Sequence, residues 1–273
     1  MWTRVELKTR AKNVLRTNYW KALLIALIVA VAGGMDGRFA GNGRGHKGNG
    51  MDGISGMMGL NGNTTPQGGE GFLWHLNGGW GILDPGFWVF LATILTIVII
   101  VAVLALALRV LLGFPAEVGG KRYFVKSSVF ENGEGSIAYA FDRANYRNIV
   151  ITMFAMKILN FFWYLLLIIP GIIKSYAYRM VPYILAENPG IEARRAIELS
   201  DQMTKGHKWD MFVLDLSFIG WYFLGLLAMG IGIIFVMPYE LATKAELYQV
   251  LKRTALEAGI CGREEFGQVE QQF

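Results

Sequence analysis

The chain is short of charge. Of its 273 residues only 17% are Asp, Glu, Lys or Arg, while 53% are hydrophobic. A soluble domain usually carries about a quarter charged residues. A large soluble enzyme of this length would set its apolar residues at periods of 2 or 3.6, and runs such as Phe87 to Leu108 show neither. Cysteine is nearly absent: Cys261 alone excludes an intrachain disulfide, a thiolate zinc cage and a CxxC redox pair. The three histidines, His46, His75 and His207, stand far apart, and HExxH, GxxxxGK[ST] and GxSxG are missing. The sequence therefore nominates no catalytic, cofactor-binding or metal residue, and implies no cofactor. A net charge of +5 is too small to point to nucleic acid.

What is present is apolar and segmented. Ile149 to Ile169 runs for 21 residues with one charge, Lys157. At a rise of 1.5 Å per residue that crosses a hydrocarbon layer of roughly 30 Å. Pro170-Gly171 is then expected to turn the chain, since proline lacks an amide hydrogen and glycine accepts positive φ. Residues 171–186 return as a second leg carrying Lys174 and Arg179.

The other segments follow from this hairpin. Residues 1–18 read as a basic amphipathic helix, with Leu7, Ala11, Val14 and Leu15 on one face and Arg4, Lys8, Lys12 and Arg16 largely off it. Such a helix lies on an anionic leaflet, or else is a solvated charged helix that keeps the N-terminus inside. Residues 19–34 form a short first span with Lys21 snorkelling; a cleaved signal core ending Ala30-Val31-Ala32 is the weaker reading. Residues 35–86, rich in glycine and asparagine, are expected to be a disordered extracytoplasmic loop. Its methionines and histidines are too irregular for a copper site, and Asn63-Thr64-Thr65 matches a glycosylation sequon that a bacterial source would leave unused. Residues 87–112 are the second span. Residues 137–147, capped by Ser136, form an interfacial helix, and 149–169 and 171–186 are spans three and four. Residues 189–205 form a cytoplasmic helix with Asn188 as N-cap and Gly206 as stop. Met211 to Met237 holds only Asp215 as a charge, and is divided near Met229-Gly230 into spans at 210–228 and 231–250. One long tilted helix followed by a surface helix is the alternative division. Small residues, among them Ser217, Gly220, Gly225 and Gly232, would let the last two spans approach closely. Residues 254–273 are a polar tail.

Lysine and arginine placement sets the topology. Residues 1–21 hold six basic groups, 114–148 five, 187–210 four and 239–273 four; the 35–86 loop holds three, with four acids. The expectation is an all-α polytopic membrane protein. It has six transmembrane helices as three hairpins, interfacial amphipathic helices and both termini cytoplasmic. Pro115-Ala-Glu117-Val-Gly-Gly-Lys121 and Pro238-Tyr-Glu240-Leu-Ala-Thr-Lys244 form a weak internal echo.

Four stretches carry a family resemblance: Ile169-Pro-Gly-Ile-Ile; Tyr176-Ala-Tyr-Arg179; Ala196-Ile-Glu-Leu-Ser200 with Met203, Gly206 and Lys208; and Leu214, Leu216, Ser217-Phe-Ile and Trp221. In this order they resemble the bacterial family called domain of unknown function 975, itself similar to the membrane domain of some glycerophosphodiester phosphodiesterases. The resemblance implies a multi-span plasma-membrane protein and brings no activity. The phosphodiesterase barrel has no room in this chain.

Charges inside a span are the default functional candidates, because each is costly unless paired or hydrated. By depth, Lys157 matches Glu240 and Arg179 matches Asp215, as structural pairs or as an ion path. Arg4, Lys8, Lys12, Arg16, Arg194, Arg195, Lys205 and Lys208 form the basic membrane-surface set. The preferred reading is a non-enzymatic scaffold contacting the bilayer, anionic lipids above all, or a membrane-protein partner. A small transporter or channel subunit is second, and an intramembrane lipid enzyme third.

Overall fold

The computed structural model describes residues 2–31, 85–227 and 231–267, and every regular element among them is helical. The 35–86 loop lies outside the described residues but for its last two, as do Met229-Gly230 and residues 268–273. The chain divides into two units, residues 38–105 and the remainder.

Helix α1, Arg4–Val31, is one helix of 28 residues. The basic and apolar stretches that the sequence separates are thus a single rod. Helix α2, Pro85–Leu108, is uniformly apolar and exposed. It leads through a π-turn, Arg109–Gly113, into α3, Phe114–Ser128. The π-turn sits where Pro115 withholds its amide from the carbonyl of Leu111. The Tyr146 hydroxyl donates to that carbonyl instead, at 3.0 Å.

The remaining helices are α4 (Ser136–Phe141), α5 (Arg143–Leu166), α6 (Ile168–Ala177), α7 (Val181–Glu187), α8 (Ala193–Thr204), α9 (Lys208–Leu227) and α10 (Ile231–Glu257). A 3-10 turn, Arg263–Phe266, closes the described chain. Helix α10 is the hub, packing on α1, α3, α8 and α9. Helices α1 and α10 run antiparallel: Tyr19 donates to the carbonyl of Phe235 at 3.2 Å, and the Lys12 ammonium lies 5.8 Å from the Tyr239 ring centre. In α7 every residue from Val181 to Ala186 is buried.

Three helical stretches are long and apolar enough to cross a membrane, by length and composition: Gly86–Ser128, Arg143–Leu166 and Lys208–Leu227. That is three, not the six expected. Residues 19–34 supply only a 12-residue apolar piece, Tyr19–Ala30, of a longer helix. Residues 171–186 are cut in two between Ala177 and Val181. Residues 231–250 lie in a helix that carries Glu240, Lys244 and Glu246.

Several local expectations are corrected. The hairpin breaks at Leu167 (φ −159, ψ 138), not at Pro170-Gly171. Pro170 is the third residue of α6, in the first turn, where an amide has no helical partner to lose. Gly171 is needed for packing: a Cβ there would come within 2.6 Å of the Tyr164 ring. The 137–147 helix is two, divided at Asp142, and Ser136 lies inside α4, its hydroxyl donating to Gly133 at 2.6 Å. Asn188 ends α7 rather than starting the next helix; its Oδ1 accepts from the Gly190 amide, and α8 starts at Ala193. The amphipathic face of α1 is occupied, with Leu7, Ala11 and Leu15 buried in the core and unavailable to a leaflet. The tail is not free as far as Gly267: Phe266 is buried, and Glu265 accepts from Arg195 at 2.6 Å.

Helix α8 ends at Thr204, with Gly206 at φ +84. Helices α9 and α10 meet at Gly225 and Gly232, where a Cβ on Gly232 would lie 2.6 Å from the Cα of Gly225. Gly232→Val is therefore expected to lower the stability of the detergent-solubilised protein by about 1–3 kcal/mol through overpacking. Gly220→Ala, which meets nothing within 4 Å, should leave the thermal melt unchanged or raise it. Equal melts for the two variants would refute the close crossing.

Candidate functional site

Three sets of buried charges share one design, a carboxylate held by a tyrosine hydroxyl and by a cation, with Glu117 and Glu246 buried outside them. In the first, Arg179 Nη2 lies 2.7 Å from Asp215 Oδ2, and the Tyr176 hydroxyl donates to the same oxygen at 3.0 Å. The guanidinium also sits 4.5 Å from the Tyr176 ring centre. In the second, Lys244 Nζ is 2.8 Å from Glu240 Oε1, and Tyr222 donates to Glu240 Oε2. In the third, Glu187 Oε2 accepts from Tyr248 and from Lys252, both at 2.7 Å. Tyr248 stacks on Tyr183, whose hydroxyl lies 3.4 Å from the Lys121 ammonium. Each set joins two or more helices: α6, the α6–α7 joint and α9; α9 and α10; α7 and α10, with α3 reached through Lys121.

The first set stands at a helix break. Between α6 and α7 the Met180 amide and the Ala177 carbonyl point toward α8, where Ser200 serves both. Its oxygen accepts from Met180 at 3.1 Å and its hydroxyl donates to Ala177 at 2.6 Å. Thr204 adds a longer bond to Ala177, at 3.4 Å. Helix α8 thus splints the gap that displays Arg179.

Of the residues nominated by depth, Arg179 and Asp215 are in contact. Lys157 lies half-buried on α5, while Glu240 is joined to Lys244 and Tyr222. Lys244 sits four residues along the same helix, so that pair forms without bringing a third helix to Glu240. The basic surface set divides. Arg4, Lys12, Arg16, Arg194 and Lys205 are exposed. Lys8 lies 4.5 Å from the Phe218 ring centre, and its pKa is lowered by burial and by the nearby Arg4 and Lys12 charges. Arg195 is committed to Glu265 and to the Ile260 carbonyl. Lys208 shares Asp201 with Lys174, at 2.8 and 2.9 Å. Lys174 is thereby tied to α8.

The tyrosines of the three sets, with Lys244, Glu187 and Lys252, were not among the nominated residues. Tyr176 and Arg179 stood within the Tyr-Ala-Tyr-Arg motif, one helical turn apart, and that spacing was the available signal. Nothing local links Tyr222 to Glu240 or Tyr248 to Glu187. Among the described residues no group of three or more His, Cys, Asp or Glu side chains is placed to hold a metal.

A family model described as "Protein of unknown function (DUF975)" matches residues 82–255, and the chain belongs to that family. Neither a curated protein nor a solved structure matches.

Two outcomes follow from these contacts. Arg179→Met or Asp215→Asn alone should cost about 3–5 kcal/mol, since each strands its partner, while Arg179→Met with Asp215→Leu should recover much of the loss. Additive losses in the double variant's melt would contradict the pairing. For Asp201, burial raises the pKa, but the Lys208 and Lys174 hydrogen bonds outweigh it and hold the group below the ordinary 3.8. Its stabilisation is present above the unfolded pKa and is lost as pH falls through the folded one. The melting-temperature gap between wild type and Asp201→Asn should therefore be constant at neutral pH and close only below 3.8.

Proposed function

We propose that this family member is a multi-pass protein of the bacterial plasma membrane, and a non-enzymatic scaffold that contacts lipid or a membrane partner. The observation that carries the membrane part is the distribution of apolar surface. Leu95, Ile99, Leu104 and Leu106 on α2 are exposed, as are Phe161, Phe162, Leu165 and Leu166 on α5 and Leu216, Ile219, Phe223 and Leu224 on α9. Isolated exposed apolar residues are ordinary, but whole apolar helix faces are the mark of a lipid or partner contact.

The arrangement of the legs supports a same-side placement of the chain ends. Antiparallel packing of α1 on α10 sets the basic start of α1 beside the end of α10 that carries Lys252 and Arg253. By the positive-inside rule that side is cytoplasmic. Each long apolar helix then needs a return leg. The broken α6–α7 leg answers α5, and the charged α10 answers α9. Scaffolding fits the polar interior better than transport does, because each described carboxylate of the three sets is engaged by a tyrosine and a cation of the same chain. Likeness to the membrane domain of glycerophosphodiester phosphodiesterases would agree with such an accessory role.

Membrane pelleting after carbonate washing tests the attachment, and thiol labelling of single-cysteine variants reads the topology. The native thiol is removed by Cys261→Ser, and Thr3→Cys or Ala258→Cys is introduced singly, both positions being exposed. Each introduced thiol is expected to react with an impermeant reagent only after the cells are opened. Extraction into carbonate, or labelling of either site in intact cells, would reject this reading. Proton or ion flux in proteoliposomes that disappears in Glu240→Gln would favour transport over scaffolding.

A further inference from the structure

A groove of about 370 Å³ opens on the flank of α1, lined by Leu24, Ile25, Tyr123, Ile137 and the Gly133–Gly135 turn, with Lys21 and Glu134 at its rim. That volume is within the range of small-molecule sites, roughly 300–1,000 Å³. Glycines shape its wall. A Cβ on Gly133 would come within 2.5 Å of the Tyr123 ring, Gly135 holds φ +74, and a Cβ on Gly119 would strike the Ile137 backbone at 2.7 Å. The loop and α4 therefore sit closer to α3 than any side chain there would allow.

Polarity runs along the groove. At one end Lys21 Nζ and Glu134 Oε1 are 2.5 Å apart, both more than half exposed. Beyond them the lining is mostly apolar, with Ser136 as its polar residue, and it continues onto the exposed Leu24 and Leu27 of the apolar Tyr19–Ala30 piece. Trp20 stands beside Lys21 with 73% of its surface exposed, an amphipathic ring at the point where charge gives way to hydrocarbon. An exposed cation and anion held together at the mouth of an apolar slot match a zwitterionic headgroup. A purely anionic headgroup would find its cation already shared with a carboxylate.

We propose that this groove binds one phospholipid bearing a phosphoethanolamine headgroup. Its phosphate meets Lys21, its ammonium meets Glu134, and one acyl chain lies along Leu24, Ile25 and Ile137. The proposal rests on the membrane reading above and names the lipid that reading leaves open.

The full chain is reconstituted in nanodiscs of equal dioleoyl phosphatidylethanolamine and dioleoyl phosphatidylglycerol, extracted in mild detergent, and its retained lipid weighed by native mass spectrometry. The wild type should keep one phosphatidylethanolamine, enriched about fivefold over the input, the modest scale that solvent-screened charge contacts permit. The exchange Lys21→Glu with Glu134→Lys preserves the ion pair but reverses it along the groove. It should return retained lipid to the input ratio with an unchanged melt. Ile137→Trp, which fills the slot and leaves the rim intact, should abolish retention. No enrichment in the wild type, enrichment of phosphatidylglycerol, or enrichment that survives the exchange overturns the proposal. Carbonate-resistant pelleting is read on the cell membranes from which each protein is purified: its loss defeats the membrane reading and the groove together, whereas pelleting without enrichment defeats the groove alone.

Discussion

An ion taken out of water has to be met by partners from its own protein, and α10 is where that demand is greatest. Glu240, Lys244, Glu246 and Lys252 are all less than a tenth exposed. The penalty for each such ion is several kcal/mol even after relaxation. Neighbouring helices are arranged to answer it. Helix α9 brings Tyr222 to Glu240, and α7 brings Glu187 to Lys252. A purely apolar α10 could slide or rotate against these helices, whereas polar contacts at different heights fix its register. The same requirement explains why α7, only seven residues long, is so deeply buried: it carries Glu187 and the Tyr183 ring that stacks on Tyr248.

Breaks in helices are handled in the same way, by side chains that replace lost backbone partners. A buried amide or carbonyl without a hydrogen bond costs about 1–3 kcal/mol. The α6–α7 joint avoids this through Ser200, which serves both open ends. At the opposite end of α7, Asn148 donates to the carbonyls of Pro189 and Ile191 at 2.6 and 2.7 Å, and Asn188 donates to Glu265 at 3.2 Å. These polar side chains let the chain turn sharply inside a packed interior, and the final 3-10 turn is part of that support.

How much of this was legible in the sequence depends on the range of the interaction. Long apolar helices at α2, α5 and α9 follow from run length alone, and the stop at Gly206 from glycine's access to positive φ. The close approach of Gly225 and Gly232 was readable as small residues in facing segments. Arg179 and Asp215, matched by depth, do meet, although Arg179 stands in the α6–α7 joint rather than in a helix. Depth failed for Glu240, since a cation one turn away competes better than one on another helix. The Pro170 break misled because proline stops a helix only beyond its first turn, and the α6 start was hidden in an unbroken apolar run. Tyrosine hydroxyls were invisible as partners: an apolar ring with one polar atom reads as core until its neighbour is known.

The echo between Pro115-x-Glu117-x3-Lys121 and Pro238-x-Glu240-x3-Lys244 gains meaning from the packing. Helices α3 and α10 lie against each other, and both pass from apolar residues, through a proline, into a buried face bearing the Glu and Lys. In each, a tyrosine from another helix bonds a carbonyl just ahead of the proline: Tyr146 reaches Leu111, and Tyr19 reaches Phe235. In each, one of the charges meets a further tyrosine, Tyr183 for Lys121 and Tyr222 for Glu240. The two segments share a plan: each helix carries a proline, meets a tyrosine hydroxyl from a neighbouring helix just ahead of it, and buries a Glu and a Lys beyond it.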